Sequence, residues 1–204
     1  MTTRIKAVAF DLGGVLIDWN PRYLYRKLMA DEASIERFLM DVCTSEWNVQ
    51  MDAGRPFADG VAELVARHPE EADLIEAYRA RWDEMLGGAI DETVAIVDRL
   101  LHAGVPVFAL SNWSAETFGM TRPHFPFLER FDGILISGEV GLAKPDPAIF
   151  RLFLDRFGLR AEATLFIDDS PANVAAARTV GIEAVQFISA SQVERELTLL
   201  GLPA

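Results

Sequence analysis

Residues Val8 to Asp18 read VAFDLGGVLID, and this stretch decides the fold. Three apolar residues, Val8 to Phe10, run straight into Asp11. Leu12, Gly13 and Gly14 follow, and then a second apolar run, Val15 to Ile17. An uninterrupted apolar run bounded by a turn signal reads as a strand buried in a parallel sheet. Open sheets of that kind bind their ligands beyond the carboxyl ends of the strands. Asp11 stands at such an end, where a reacting carboxylate would be placed. Taken alone, an Asp before glycines is equally an ordinary turn, so the rest of the chain has to decide.

Working outward, Ile5 to Phe10 forms the first strand. From about Asn20 the apolar spacing changes to threes and fours: Leu24 and Leu28, then Ile35, Phe38 and Val42, then Val61, Leu64 and Val65, then Leu74, Tyr78, Trp82 and Leu86. This predicts an all-helical block from Asn20 to Leu86, closed by Gly87-Gly88. Beyond it, strands are predicted over 105–110, 133–137, 164–167 and 183–187. Helices are predicted over 90–102, 114–120, 147–157, 171–180 and 191–200. Strands alternating with helices of about ten residues imply βαβ units. The expected class is therefore α/β, a parallel-sheet core from residues 1–18 and 88–204, with a small helical unit, residues 19–87, inserted after the first strand.

Bulk composition narrows the function. The chain has 204 residues and a net charge of −12, from 31 acidic and 19 basic side chains. That balance argues against nucleic acid as a partner, which needs clustered Lys and Arg. It leaves open a small phosphorylated metabolite, which feels the local field of a pocket. Cys43 is the single cysteine, with no His nearby, and reads as a packed residue of the helical unit. No signal peptide or membrane-length apolar run is evident, so the expectation is a cytoplasmic protein, monomer or homodimer, with no membrane partner.

Polar residues stand at further strand ends. The strand over 105–110 leads into Ser111-Asn112, and the strand over 164–167 into Asp168-Asp169. Between them lies the loop Gly141-Leu142-Ala143-Lys144-Pro145-Asp146. In a parallel sheet Asp11, Ser111 and Asp168-Asp169 emerge on one edge, within reach of Lys144. Three carboxylates in one small site repel unless neutralised; one Mg²⁺ and one Lys⁺ bring the sum to zero. Mg²⁺ takes carboxylate, phosphate and water oxygens. Lys and Ser/Asn donors suit phosphate oxygens, and Asp is a covalent nucleophile in phosphoryl transfer. The set reads as carboxylate attack on a phosphate held by Mg²⁺, Lys144 and Ser111.

These four motifs in this order, Asp11 in FDLGGVL, Ser111 in LSN, Lys144 in GLAKPDP and Asp168-Asp169 in FIDDSPANV, resemble the haloacid dehalogenase superfamily of hydrolases. The resemblance covers nearly the whole chain. It implies a Rossmann-like core with helices on both faces and a helical cap inserted after the first motif. It implies Asp11 as nucleophile, Ser111 and Lys144 as phosphate binders, and Asp168 and Asp169 at Mg²⁺ with Asp11, the backbone carbonyl of Gly13 being a further ligand. Asn112 and Asn173 match positions that line or support the site.

One position departs from the pattern. Most phosphatases of this family carry a second Asp two residues after the nucleophile as general acid/base; this chain has Gly13. General acid/base help is worth roughly 10²–10⁴-fold. Three accounts stand: a substrate with a good leaving group, a proton supplied by a cap residue or ordered water, or slow activity. The sequence resembles a bacterial subgroup with Gly at this position that includes a phosphatase of sugar 1-phosphates. The expected function is a Mg²⁺-dependent phosphatase of a small phosphomonoester such as a sugar phosphate. Two alternatives remain: a metal-independent 2-haloacid dehalogenase using the same Asp, for which Asp168-Asp169 would have no purpose, and a catalytically weak member that acts as a binding module. Substrate choice falls to cap residues and the pocket mouth, with Trp19, Trp47, Arg55 and Trp113 as candidates. Trp47 and Arg55 flank the turn Asp52-Ala53-Gly54. Asp18 and Asn20, near the cap hinge, are expected to be structural, and His124 a surface residue.

Overall fold

The computed structural model describes residues 5–203. The chain begins with β1 (Ala7–Phe10) and β2 (Ile17–Trp19) and then passes through α1 (Arg22–Leu28), α2 (Glu32–Asp41), α3 (Ser45–Asp52), α4 (Phe57–Arg67) and α5 (Ala72–Ala80). β3 (Leu86–Ala89) and α6 (Asp91–His102) lead to β4 (Val107–Ser111), α7 (Ala115–Thr121), β5 (Gly133–Ile136), α8 (Ser137–Val140) and α9 (Pro147–Phe157). β6 (Thr164–Asp168), α10 (Pro171–Thr179), β7 (Glu183–Gln186) and α11 (Ala190–Leu199) complete it.

The sheet order is β5-β4-β1-β6-β7, with every pair parallel. β1 is central, and its neighbours explain its lack of polar residues. Val8 and Phe10 enter one apolar core with Ile96, Val97 and Leu100 of α6 and Val193 and Leu197 of α11. Ala7 and Ala9 enter the opposite core with Ile149, Phe150 and Phe153 of α9 and Val174 and Ala177 of α10. Alternate side chains thus serve alternate faces, and both faces are covered by helices. Phe10 pairs with Ala109 on one side and Ile167 on the other, so the ends of β1, β4 and β6 lie level. The chain goes from β1 to β4 and β5 on one side, then returns to β6 on the other. The strand order therefore reverses at β1, where open α/β sheets place their ligand crevice.

Helices occupy most of the stretch between Trp19 and Leu86, as the spacing predicts, but one feature differs. β2 and β3 form a short antiparallel ladder, with Asp18 opposite Gly88 and Trp19 opposite Leu86. Gly87-Gly88 is part of that strand rather than a closing turn. Four residues with two glycines carry no alternation, and the helical spacing of Trp82 continues only into a 3₁₀ turn, Trp82–Met85. Gly87 fits there because a Cβ would fall 2.1 Å from Asp18 Oδ2. Asp18 accepts a hydrogen bond from Tyr23 Oη at 2.7 Å, and Asn20 Oδ1 accepts from the Arg22 amide at 3.0 Å. Both residues organise the hinge into α1. His124 is exposed. Among the described residues, no helix is long and apolar enough to cross a membrane.

Candidate active site

Asp11, Ser111, Lys144, Asp168 and Asp169 meet at the carboxyl edge of the sheet. Asp11 is 8 % exposed. Its Oδ1 accepts from the Leu12 amide and Ser111 Oγ, each at 2.7 Å, and pairs with Lys144 Nζ at 3.0 Å. Among the described residues no donor reaches Oδ2. One carboxylate oxygen is pinned and the other is left free, which is what a nucleophile needs.

Lys144 is fully committed. Its buried ammonium donates to the Leu110 carbonyl at 2.9 Å and to Asp168 Oδ2 at 2.6 Å, besides its contact with Asp11. An ammonium has three N–H groups, and all three are accounted for. The loop that carries it is clamped by Asn112, whose Oδ1 accepts from the Lys144 amide and whose Nδ2 donates to the Lys144 carbonyl, both at 2.8 Å. Asn112, expected among the substrate-binding residues, thus has its amide engaged with backbone; it positions Lys144.

Asp168 ends β6 with no exposure. Its carboxylate accepts from Lys144, from the Ser170 amide at 2.8 Å and from Asn173 Nδ2 at 3.0 and 3.1 Å. Ser170 and Pro171 start α10 as N-cap and first residue, which turns that helix away and leaves Asp169 at the rim. Oxygens of Asp11, Asp168 and Asp169 lie within 4.8 Å of one another. Gly14 packs against this cluster. Its φ is +72°, and a Cβ there would sit 2.7 Å from Asp169 Oδ2. Gly14→Ala is therefore expected to cost both backbone strain and the placement of Asp169. The measurable result is at least a tenfold loss of activity and lower thermal stability, whereas Gly13→Ala, with nothing within 4 Å of the new Cβ, leaves stability unchanged.

The electrostatics follow from burial. Desolvation pushes the Asp11 carboxyl up to about 7, opposed by the charge of Lys144 and reinforced by that of Asp168. Burial and Asp168 also raise Asp169. Burial pulls Lys144 down, but Asp11 and Asp168 outweigh it and the ammonium is raised. Among the described residues one buried cation faces three carboxylates, so the site has room for further positive charge. The all-oxygen, carboxylate-rich donor set fits Mg²⁺.

Above the sheet edge lies a cavity of about 70 Å³. Gly13, Asn112 and Trp113 line it from below, and Trp19, Trp82, Asn48 and Asp52 complete it. Since one water needs roughly 10–15 Å³, it holds several waters or one phosphoryl group. A larger groove of about 750 Å³ continues outward past Asp52 and Asp169, between Leu39, Met40 and Val49. Trp19 and Trp113 thus lie where substrate could reach them.

Trp47 and Arg55 do not. Trp47 donates its indole N–H to the Gly60 carbonyl at 3.2 Å and packs edge-on against Phe57 and Tyr78. Arg55 pairs with Glu63 and Gln50 at the surface. Helical spacing marks Trp47 as buried but not which neighbour it is buried against. Cys43 is buried, and burial pushes its thiol up to about 12, so it is an inert packing residue. The residues that sequence reading missed are Asn48 and Asp52. Both are buried on α3, and Asn48 Nδ2 donates to Asp52 Oδ2 at 3.0 Å. The available signal was two polar residues four apart on a helix face shared with Trp47 and Met51.

Comparison with known proteins identifies the family. The family model described as haloacid dehalogenase-like hydrolase matches residues 5–181. The chain is 28 % identical to a sesquiterpene phosphatase of Aspergillus oryzae over 184 residues, 89 % of each chain. It is also 28 % identical to a drimenol cyclase of Aspergillus calidoustus, over 98 % of this chain but only 37 % of the cyclase. Among solved structures, a predicted HAD-like family hydrolase from Porphyromonas gingivalis superposes with a TM-score of 0.74 at 25 % identity, covering 97 % and 98 % of the two chains. A HAD family enzyme of Bacteroides thetaiotaomicron, solved with magnesium and inorganic phosphate, superposes with a TM-score of 0.67 at 24 % identity over 89 % of this chain and 93 % of that one. With the family model spanning most of its length and the four motifs gathered at one sheet edge, this chain belongs to the haloacid dehalogenase-like hydrolases.

Proposed function

We propose that this protein is a Mg²⁺-dependent phosphatase that hydrolyses a small phosphomonoester through an aspartyl-phosphate on Asp11. The observation that carries this reading is the carboxylate of Asp11 itself, with Oδ1 held by Leu12, Ser111 and Lys144 and Oδ2 free. Mg²⁺ would be held by Asp11, Asp168, Asp169 and the Gly13 carbonyl. Of the acidic pair Asp169 is the freer, because Asp168 already accepts from Lys144, Ser170 and Asn173. When bound, the ion draws charge from the phosphate oxygens and offsets the repulsion between phosphate and carboxylates.

In this reading Asp11 Oδ2 attacks phosphorus and the bond to the leaving oxygen breaks. Ser111 and Lys144 keep Asp11 oriented, and the positive charge of Lys144 stabilises the negative charge on the transferring group. Water then attacks the phosphorus of the aspartyl-phosphate, the bond to Asp11 breaks, and inorganic phosphate leaves. A dehalogenase reaction would use the same Asp11 without a metal, but would leave Asp168 and Asp169 facing a single Lys144.

For the substrate body, the family resemblance favours a sugar phosphate. The apolar walls of the groove, Leu39, Met40 and Val49, favour a second reading, a phosphate with a hydrocarbon body, in keeping with the sesquiterpene phosphatase among the relatives. The test is phosphate release from a panel holding sugar 1-phosphates, phosphoglycolate, farnesyl monophosphate and p-nitrophenyl phosphate, with Mg²⁺ and with EDTA. Release that EDTA abolishes is expected. Chloride release from 2-chloropropionate in EDTA would replace this function by the dehalogenase one.

A further inference from the structure

The phosphatase reading leaves a chemical gap at Gly13, and the cap supplies a group that fits it. We propose that Asp52 is the general acid/base of this enzyme, protonating the leaving oxygen in the first half-reaction and taking a proton from the attacking water in the second. The inference rests on the phosphatase reading and adds the residue that moves its protons.

Four observations carry it. First, Asp52 and Gly13 line the same small cavity. A Cβ on Gly13 would meet nothing within 4 Å, and that space is open. Second, Asp52 is only 6 % exposed, and among the described residues the one side chain that hydrogen-bonds it is Asn48, whose Nδ2 donates to Oδ2, with the Ser114 backbone amide beside it. No Lys or Arg pairs with it among the described residues. A buried carboxylate without a countercharge is costly, and such groups concentrate at functional sites.

Third, three of the residues that line the cavity carry a buried polar atom that the protein leaves unpaired. Asn48 Oδ1, Trp19 Nε1 and Trp82 Nε1 are buried without a hydrogen-bond partner. Buried polar atoms are nearly always paired, so these await a polar guest such as the leaving hydroxyl or the hydrolytic water. Fourth, Asp52 is held in place from the core side. α3 packs on α8. A Cβ at Gly54 would touch the Gly138 carbonyl at 3.4 Å. The Phe57 amide donates to Glu116 at 3.0 Å, and Glu116 also pairs with Arg79 at 3.0 Å. A proton donor carried by the cap is useful only if the cap is docked when chemistry occurs, and these contacts dock it.

Protonation state agrees with geometry. Burial pushes the Asp52 carboxyl up to about 7, with the Ser114 amide and Lys144 pulling back and the Asp11 charge adding to the rise. A general acid/base works best with a pKa near the working pH.

The proton balance closes. As Asp11 attacks phosphorus, the bond to the leaving oxygen breaks and its electron pair takes the Asp52 proton, releasing an alcohol. The Asp52 carboxylate then accepts a proton from water as that oxygen bonds phosphorus and the bond to Asp11 breaks. Asp11 ends as carboxylate and Asp52 as acid. Asn48 is a positioning residue, acting through its bond to Asp52.

The experiment compares p-nitrophenyl phosphate with the near-isosteric p-nitrobenzyl phosphate. The first leaves without a proton and the second needs one. In Asp52→Asn, kcat/KM on the benzyl ester is expected to fall by about 10²–10⁴-fold, and on the phenyl ester by less than about tenfold. In Asp52→Asn/Gly13→Asp, much of the loss on the benzyl ester should return. Equal losses on both esters would reduce Asp52 to a structural tie between cap and core and overturn the proposal, as would an unimpaired benzyl ester. Should Asp52→Asn fail to fold, the wild type still decides: a shallow dependence of kcat/KM on leaving-group pKa supports an acid in place, and a steep one overturns it. Absence of turnover on both esters by the wild type would instead sink the phosphatase reading itself, whereas turnover of the phenyl ester alone would overturn the role of Asp52.

Discussion

Replacing Asp11 by Asn is expected to abolish turnover while leaving the protein at least as stable. The amide keeps an oxygen for the Leu12, Ser111 and Lys144 donors but puts a non-nucleophilic nitrogen where Oδ2 was. Removing a covalent nucleophile costs at least about 10⁴-fold in kcat, and that is the loss expected with any phosphate ester. The stability half of the prediction comes from the raised carboxyl. Asp11 sits at about 7 in the fold, pushed there first by desolvation, against an unfolded value near 4. Between those two pH values the folded state binds more protons than the unfolded one. Stability therefore falls as pH rises through that window, and the ionised carboxylate is a cost above it. Asn carries no such cost. In EDTA at about pH 8, Asp11→Asn should melt at or above the wild type and show a flatter dependence on pH. A variant that keeps near-normal activity would remove Asp11 as nucleophile. One that melts well below the wild type would make Asp11 a structural residue.

Lys144→Met is expected to do the opposite to stability. The side chain is wholly buried, and among the described residues its ammonium is the one cation between Asp11 and Asp168. Methionine fills the space but leaves both carboxylates without that charge. Removing one partner of a buried ion pair costs about 3–5 kcal/mol, which for a chain of this size lowers the melting temperature by roughly 10 °C. Activity should fall with it, since the phosphate loses its fixed positive charge. The two sites are coupled: adding Asp11→Asn to Lys144→Met should return part of the lost stability, because one of the stranded charges is gone. Strict additivity of the two changes would show that Lys144 and Asp11 do not interact. A melting temperature within a degree or two of the wild type for Lys144→Met alone would show that the cluster draws little from its lysine.

The core of the site was legible because parallel-sheet topology leaves little freedom. Apolar runs ending in Asp11, Ser111 and Asp168 must finish at one edge once the strands are parallel, and the pairing of Phe10 with both Ala109 and Ile167 does bring those ends level. Lys144 is harder, because it lies on a loop. Its approach depends on Asn112, whose grip on the Lys144 backbone has no signature beyond a polar residue after a strand. In the cap the signal weakens further. The spacing of Trp47 and Met51 says that one face of α3 is buried, but burial against Tyr78 and Phe57 looks the same in sequence as burial against the sheet edge. Asp52 ends that helix before Ala53-Gly54 and reads as a turn residue, since desolvation is invisible until the neighbours are in place. The β2–β3 ladder escaped for a different reason: three and four residues with two glycines offer neither alternation nor β propensity.

The central claim is a covalent phosphoryl group on Asp11, and acid quenching during turnover tests it most directly. Wild-type protein is mixed with a hydrolysable phosphate ester and Mg²⁺, quenched within the first turnover, digested and analysed by mass spectrometry. The account predicts one phosphoryl group on the peptide carrying Asp11, lost on treatment with hydroxylamine and absent from Asp11→Asn. A phosphoryl group on any other residue, or continued turnover with none trapped on Asp11 at any quench time, would contradict it.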